Sequence, residues 1–144
     1  MEVSCAFPTA LDSPENIALA DARVAGGPGW ALAYHGAYEF GGPDAVRRLP
    51  GGAEWMAVVD ETPQEQRHLA VHAGHCVHLS DADHAAWDAG GHTMLQDVTI
   101  SGTRDQVRRR LDDLASRGVT EIVFQPCGPD VRGELERFLE VATS

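Results

Sequence analysis

The sequence predicts an α/β fold with few parallel strands and several helices in a single domain of 144 residues. Three observations carry that expectation. Residues 101–142 read as helix, strand, helix, the unit from which layered and barrel α/β proteins are built. Glu2 to Phe7 is short and partly β-branched and reads as a second strand. Everything between them is punctuated by helix caps and glycine–proline breakers rather than by alternating strand patterns.

In chain order, Ser13-Pro14-Glu15 opens a helix with proline at its first position, carrying Ile17, Ala18 and Ala22 inward. That helix ends before Gly26-Gly27-Pro28-Gly29. Trp30 to His35 is short and apolar and fits strand or helix, since periodicity does not separate the two over six residues. Gly41-Gly42-Pro43 and Pro50-Gly51-Gly52 bracket a short helix over Asp44 to Leu49. A second spans Ala53 to Val59 with Trp55, Val58 and Val59 as its apolar side. Thr62-Pro63-Gln64-Glu65 has the form of a capping box and predicts a helix to about Ala73. Ser80-Asp81-Ala82-Asp83 starts another, stopped by Gly90-Gly91.

The terminal unit is the most legible part. Thr103 caps a helix with Gln106 completing the box, and Val107, Leu111, Leu114 and Ala115 form one apolar stripe. Arg108, Arg109, Asp112 and Asp113 cover its other face, and Gly118 ends it. Val119 to Phe124 reads as a parallel strand with both faces buried. Pro126 stops it, and Gly128-Pro129-Asp130 turns the chain into a last helix with Leu135, Phe138, Leu139 and Ala142 inward. Gly133 weakens the first turns of that helix by about 1 kcal/mol relative to alanine.

A hydrophobic share of 43% with 23% charged residues is that of a soluble globular chain. The net charge is −11 and every cation is arginine, which argues against nucleic acid and against anionic membrane surfaces as partners. Arg104, Arg108, Arg109 and Arg110 are the one basic cluster, and their acidic neighbours make it a salt-bridged solvated face. No apolar run is long enough to cross a bilayer and the first residues do not read as a signal peptide, so a cytoplasmic location is expected. Cys5, Cys76 and Cys127 are odd in number and lack CxxC spacing, which fits reduced thiols.

The run GTRDQVRRRLDDLASRGVTEIVFQPCGPD resembles the closing segment of the luciferase-like monooxygenases, the flavin- and deazaflavin-dependent TIM-barrel oxidoreductases. HLAVHAGHCVHLSDADHAAWDAGG resembles the segment that precedes it in one branch of that family, and MEVSCAFPTALDSPENIALA resembles the family's first strand and helix. The resemblance covers both ends and most of the second half of the chain. An eight-stranded barrel takes about 250 residues, so the resemblance implies an internally shortened, partial TIM-barrel-derived fold with its junction at Gly26 to Gly29. First and last strands, neighbours in a closed barrel, are then an adjacent parallel pair. A third strand near Trp30, or a second copy of the chain in a homo-oligomer, is expected to complete the sheet.

The implied activity is that of an oxidoreductase binding FMN or a deazaflavin and acting on a small organic substrate. Two alternatives stand beside it: a cofactor-independent catalyst, such as a cyclase or proton-transfer enzyme, and a non-catalytic ligand-binding or partner subunit.

Six of the seven histidines fall between His68 and His92. His68, His72 and His75 share one face if a helix persists through Gly74, and histidine titrates near neutral pH, so His72 and His75 are the candidate acid–base residues. Their HxGH pattern recurs in the related branch of the family. Solvated helix histidines are the plainer reading. Imidazoles at i and i+4 also suit zinc, but HExxH is absent and spacing identifies no completing ligand, so no metal site is assigned. Cys127, Gly128 and Asp130 follow the last strand, where barrel enzymes place active-site loops, and are the candidate cofactor-binding residues. A structural turn with Asp130 as its cap is the plainer reading. Tyr34, His35 and Tyr38 lie between glycine breakers as candidate pocket residues, or simply pack on Trp30. GxGxxG, GxxxxGK[ST] and GxSxG are absent, which removes dinucleotide, P-loop and serine-hydrolase readings.

Overall fold

The computed structural model describes residues 2–4, 6–7 and 19–143, with side chains from Ala22 to Thr143. The expected helix start at Ser13-Pro14-Glu15, with Ile17 and Ala18, and also Cys5, lie outside the described residues. Strand β1 (Glu2–Ser4) is followed by β2 (Ala6–Phe7) and by a helical run: α1 (Leu19–Ala25), α2 (Gly27–Trp30), α3 (Leu32–Gly41), α4 (Pro43–Arg47), α5 (Gly52–Asp60), α6 (Arg67–Val71), α7 (Asp81–Asp88) and α8 (Leu95–Val98). The chain closes with β3 (Ile100–Ser101), α9 (Arg104–Ser116), β4 (Ile122–Phe124) and α10 (Val131–Ala142).

β1 and β4 pair in parallel, Glu2 opposite Ile122 and Ser4 opposite Phe124, so the first and last strands are neighbours as expected. β2 and β3 form a second parallel pair. The rest of the barrel expectation is corrected. Helices predominate, and the described strands form two two-stranded pairs with no barrel. The segment near Trp30 is helical and adds no third strand. Its aromatic residues explain why: Trp30 and Tyr34 pack on one face at helical spacing, ring centroids 4.7 Å apart, whereas a strand would hold residues four apart about 13 Å from one another.

The larger core is helical. Trp30, Tyr34, Trp55, Met56, Trp87 and Leu95 are buried together between α2, α3, α5, α7 and α8. Trp30 and Tyr34 find partners for their polar tips, which their burial requires. Trp30 Nε1 donates to the Gly91 carbonyl at 2.8 Å, and the Tyr34 hydroxyl donates to the Pro50 carbonyl. The glycine turns are shaped to receive them. A side chain at Gly91 would collide with the Tyr34 hydroxyl and the Trp30 ring.

The smaller core joins the terminal unit, with Ile100, Val107, Leu114 and Val141 buried and Phe124 stacked on Phe138 at 4.0 Å. The capping box Thr103–Gln106 forms as expected. Two expectations are corrected here. β4 is not buried on both faces, because a two-stranded pair leaves Val123 exposed. The inward stripe of α10 is Glu134, Phe138 and Val141, whereas Leu135, Leu139 and Ala142 are exposed, a rotation of about one residue around the helix. Among the described residues no helix is long and apolar enough to cross a membrane.

Candidate functional site

The helix expected from Thr62 to Ala73 is shorter than its pattern. A 3₁₀ turn, Gln64–Gln66, leads into α6, which ends at Val71 without a side-chain cap at its start. Residues 72–78 then form successive turns, with Gly74 at φ 73° and Cys76 at φ 63°. A side chain at Gly74 would meet the His78 ring, so glycine is required there twice over. His68, His72 and His75 therefore do not line one helix face. His68 stays exposed on α6, while the turns swing His72 and His75 toward α3.

What they meet is His35, 40 residues earlier in the chain. His35 Nδ1 lies 3.1 Å from His75 Nδ1, and His72 Nδ1 lies 3.5 Å from the same atom. The three ring centroids are 5.2, 5.3 and 5.5 Å apart, a nearly equilateral set. His35 is 3% exposed, whereas His72 and His75 open to solvent. The cluster sets a buried histidine beneath two exposed ones.

The outer ring nitrogens are held by carboxylates. His72 Nε2 pairs with Glu39 Oε1 at 3.0 Å. Glu39 sits one helical turn after His35 on α3, so one helix supplies both a histidine and the carboxylate of its neighbour. His35 Nε2 lies 3.2 Å from Asp83 Oδ1, and Trp55 Nε1 donates to the same oxygen at 2.8 Å. The other oxygen, Oδ2, accepts from the Ser80 amide at 2.9 Å and the Ser80 hydroxyl at 2.7 Å. Asp83 is thus the third residue of the α7 capping box and at the same time the buried anchor of His35. Burial alone raises its carboxyl pKa; the hydrogen bonds from His35, Trp55 and Ser80 outweigh that and hold it below the ordinary aspartate value. The His75 pKa is lowered, first by desolvation and then by the adjacent His35 and His72 rings, with Asp83 opposing. His75 is exposed by surface area, so the crowding of the rings on its inner side, not depth, is the physical source of that desolvation.

The remaining expected site residues are placed differently. Tyr34 is fully buried and bonded to a backbone carbonyl, and burial, then Asp83, push its hydroxyl pKa up. Tyr38 packs on Trp55 at 5.9 Å. The segment between the glycine breakers is helix α3, and of the candidate pocket trio only His35 joins the cluster.

Cys127 is fully buried, and a side chain on Gly128 would press against the Val24 and Ala25 backbone of α1, so that turn is closed by packing. Asp130 caps α10, accepting from the Gly133 amide at 3.0 Å, and this bond, with Arg137, lowers its pKa. A carboxylate already occupies the position a flavin phosphate would need. Cys127, Gly128 and Asp130 do not fit that group.

Comparison with protein-family models, with curated proteins and with solved structures finds no match to this chain.

Proposed function

We propose that the chain is a proton-transfer catalyst acting on a small organic molecule at the His35–His72–His75 cluster. The observation that supports this reading is one unbroken polar chain: Asp83 to His35, His35 to His75, His75 to His72, His72 to Glu39. It joins a fully buried carboxylate to a solvent-facing imidazole. His75 is the group placed to give and take a proton at the surface. His35 and Asp83 are positioning residues, as the buried carboxylate orients the imidazole behind the acting one. Fixed geometry of this kind contributes about 10²–10⁴-fold to a proton-transfer rate.

The test uses a panel of small ketones and aldehydes in D₂O, followed by NMR for deuterium appearing beside the carbonyl. Incorporation above buffer, falling about 100-fold or more in His75→Ala, is the expected result. Incorporation that His75→Ala leaves unchanged would sink the reading.

The second reading is the flavin- or deazaflavin-dependent oxidoreductase of the luciferase-like family. The parallel pairing of β1 with β4 favours it, since that is the adjacency a shortened barrel keeps. The fluorescence of FMN and of the deazaflavin, titrated with folded protein, decides it: saturable binding supports this reading and its absence removes it. The short edge strands also fit the expected homo-oligomer, which the mass of the protein in dilute solution tests.

A further inference from the structure

We infer that His35, His72 and His75 form a binding site for one divalent transition-metal ion of the class that includes zinc, with their three Nδ1 atoms as the coordinating set. The inference deepens the proton-transfer reading and rests on the same residues, because a metal-bound water would then be the group that exchanges the proton.

The tautomers carry the argument. Both oxygens of Asp83 already accept, Oδ1 from Trp55 and Oδ2 from Ser80, so His35 Nε2 is the donor in their contact. A neutral His35 then presents a lone pair at Nδ1. Glu39 imposes the same on His72, whose Nε2–H it accepts. Both lone pairs point at His75 Nδ1, and a single hydrogen on that atom serves only one of them. At least one pair of lone pairs is then left facing another across 3.1 to 3.5 Å, and a cation between the rings would satisfy all three at once.

The spacing fits a metal. Nitrogens bound at about 2.0–2.1 Å and separated by the tetrahedral angle lie about 3.3 Å apart. The two Nδ1 separations, 3.1 and 3.5 Å, straddle that value, and all three ligand atoms lie within 4.8 Å of one another. Rings aimed at a common tetrahedral ion place their centroids about 5.2 Å apart, against 5.2, 5.3 and 5.5 Å here. Each of two ligands carries a carboxylate on its outer nitrogen, the arrangement that fixes ligand tautomer and raises basicity in histidine metal centres. Three imidazoles select zinc, copper, nickel or iron over magnesium or calcium. Three protein ligands with His72 and His75 facing solvent leave the fourth position to water, as in catalytic rather than structural zinc sites. The net charge of −11 favours cation capture in general.

The experiment is a titration of chelator-stripped full-length protein with Co(II), read by its visible absorption and followed by displacement with Zn(II). The expected result is the intense band of four-coordinate Co(II), saturating at one equivalent and removed by zinc. His75→Ala, at an exposed position that leaves folding intact, abolishes the band, while His68→Ala, outside the cluster, keeps it. Glu39→Gln weakens the apparent affinity about 10- to 100-fold. Absorption no stronger than that of hydrated Co(II), or a band that survives His75→Ala, overturns the proposal. Deuterium exchange repeated on the stripped protein separates the two readings. Exchange that persists without metal binding leaves the imidazole mechanism standing and removes the metal. A Co(II) site without exchange activity does the reverse.

Discussion

His35 and Trp55 donate to the same oxygen of Asp83, from 3.2 and 2.8 Å, and so tie α3 and α5 to the first turn of α7 at one buried point. Four donors in all converge on this carboxylate. Such a group holds a fold together only while its partners stay complete, because each orphaned donor retains its full desolvation cost.

Asp83→Ala should therefore be among the most damaging single changes in the chain. It strands the Trp55 indole, the His35 ring and the Ser80 amide without an acceptor, a loss on the order of 3–5 kcal/mol. Asp83→Asn keeps one acceptor but presents an amide donor to Ser80, and about 1–3 kcal/mol is expected. Urea unfolding of the two variants measures both. An Asp83→Ala variant within about 0.5 kcal/mol of the parent would show that the carboxylate does not anchor these helices.

Two glycines predict opposite outcomes. Gly36 follows His35 inside α3 with open space where a side chain would stand, so Gly36→Ala should stabilise the protein by about 1 kcal/mol through helix propensity. Gly52 opens α5, and a side chain there would overlap the Val46 carbonyl oxygen, backbone that has nowhere to move. Gly52→Ala should cost at least about 2 kcal/mol as α5 is pushed from α4. Thermal melts of the pair suffice, and equal shifts in either direction would contradict the packing.

What the sequence made legible follows from range. Caps and stops are local, so the Thr103–Gln106 box, the Ser80 start and the Gly41–Gly42 and Gly90 breaks could be placed from neighbours alone. The pairing of β1 with β4 came from a resemblance, not from any local pattern. The rotation of α10 departs from its apolar stripe because Glu134, an unusual residue to bury, faces inward while Leu135 and Leu139 are exposed. The histidine centre was half visible. His72 and His75 stood out by spacing, but His35 is 40 residues from its partner, and the helix that made the spacing meaningful stops at Val71. His35 and Glu39 at i and i+4 were the one available signal that α3 presents a polar patch. Asp83 gave no signal at all, since a capping-box aspartate ordinarily faces water.

Glu134 gives a pH test. It is 3% exposed, its Oε2 has no partner among the described residues, and Arg137 binds its other oxygen. Burial raises its pKa above the ordinary 4.5, outweighing Arg137. A raised carboxyl contributes stability in full below its unfolded value and loses it as pH climbs through the folded one. The ionised side chain is therefore a cost at neutral pH that Glu134→Gln removes. The stability of that variant relative to the parent should rise between about pH 4 and pH 7. A difference that stays flat, or falls, across that range in urea midpoints would mean that Arg137 dominates.

The site and the fold can be separated by their histidines. His75 is exposed and its side chain bonds to the other two histidines of the cluster, so His75→Ala should change stability by no more than about 0.5 kcal/mol. His35 is buried and is Asp83's partner, so His35→Ala should cost about 2–4 kcal/mol through the space it leaves and the hydrogen bond it removes. Gly74→Ala falls between them in stability, because strain at φ 73° is local to the turn. Its effect on the cluster should nevertheless match that of His75→Ala, since the turn at Gly74 is what aims both His72 and His75 at α3. Stability from urea unfolding and the His75 ring shifts from NMR test this in one set of samples. If Gly74→Ala left the His75 ring environment unchanged, the turn would not be what assembles the site.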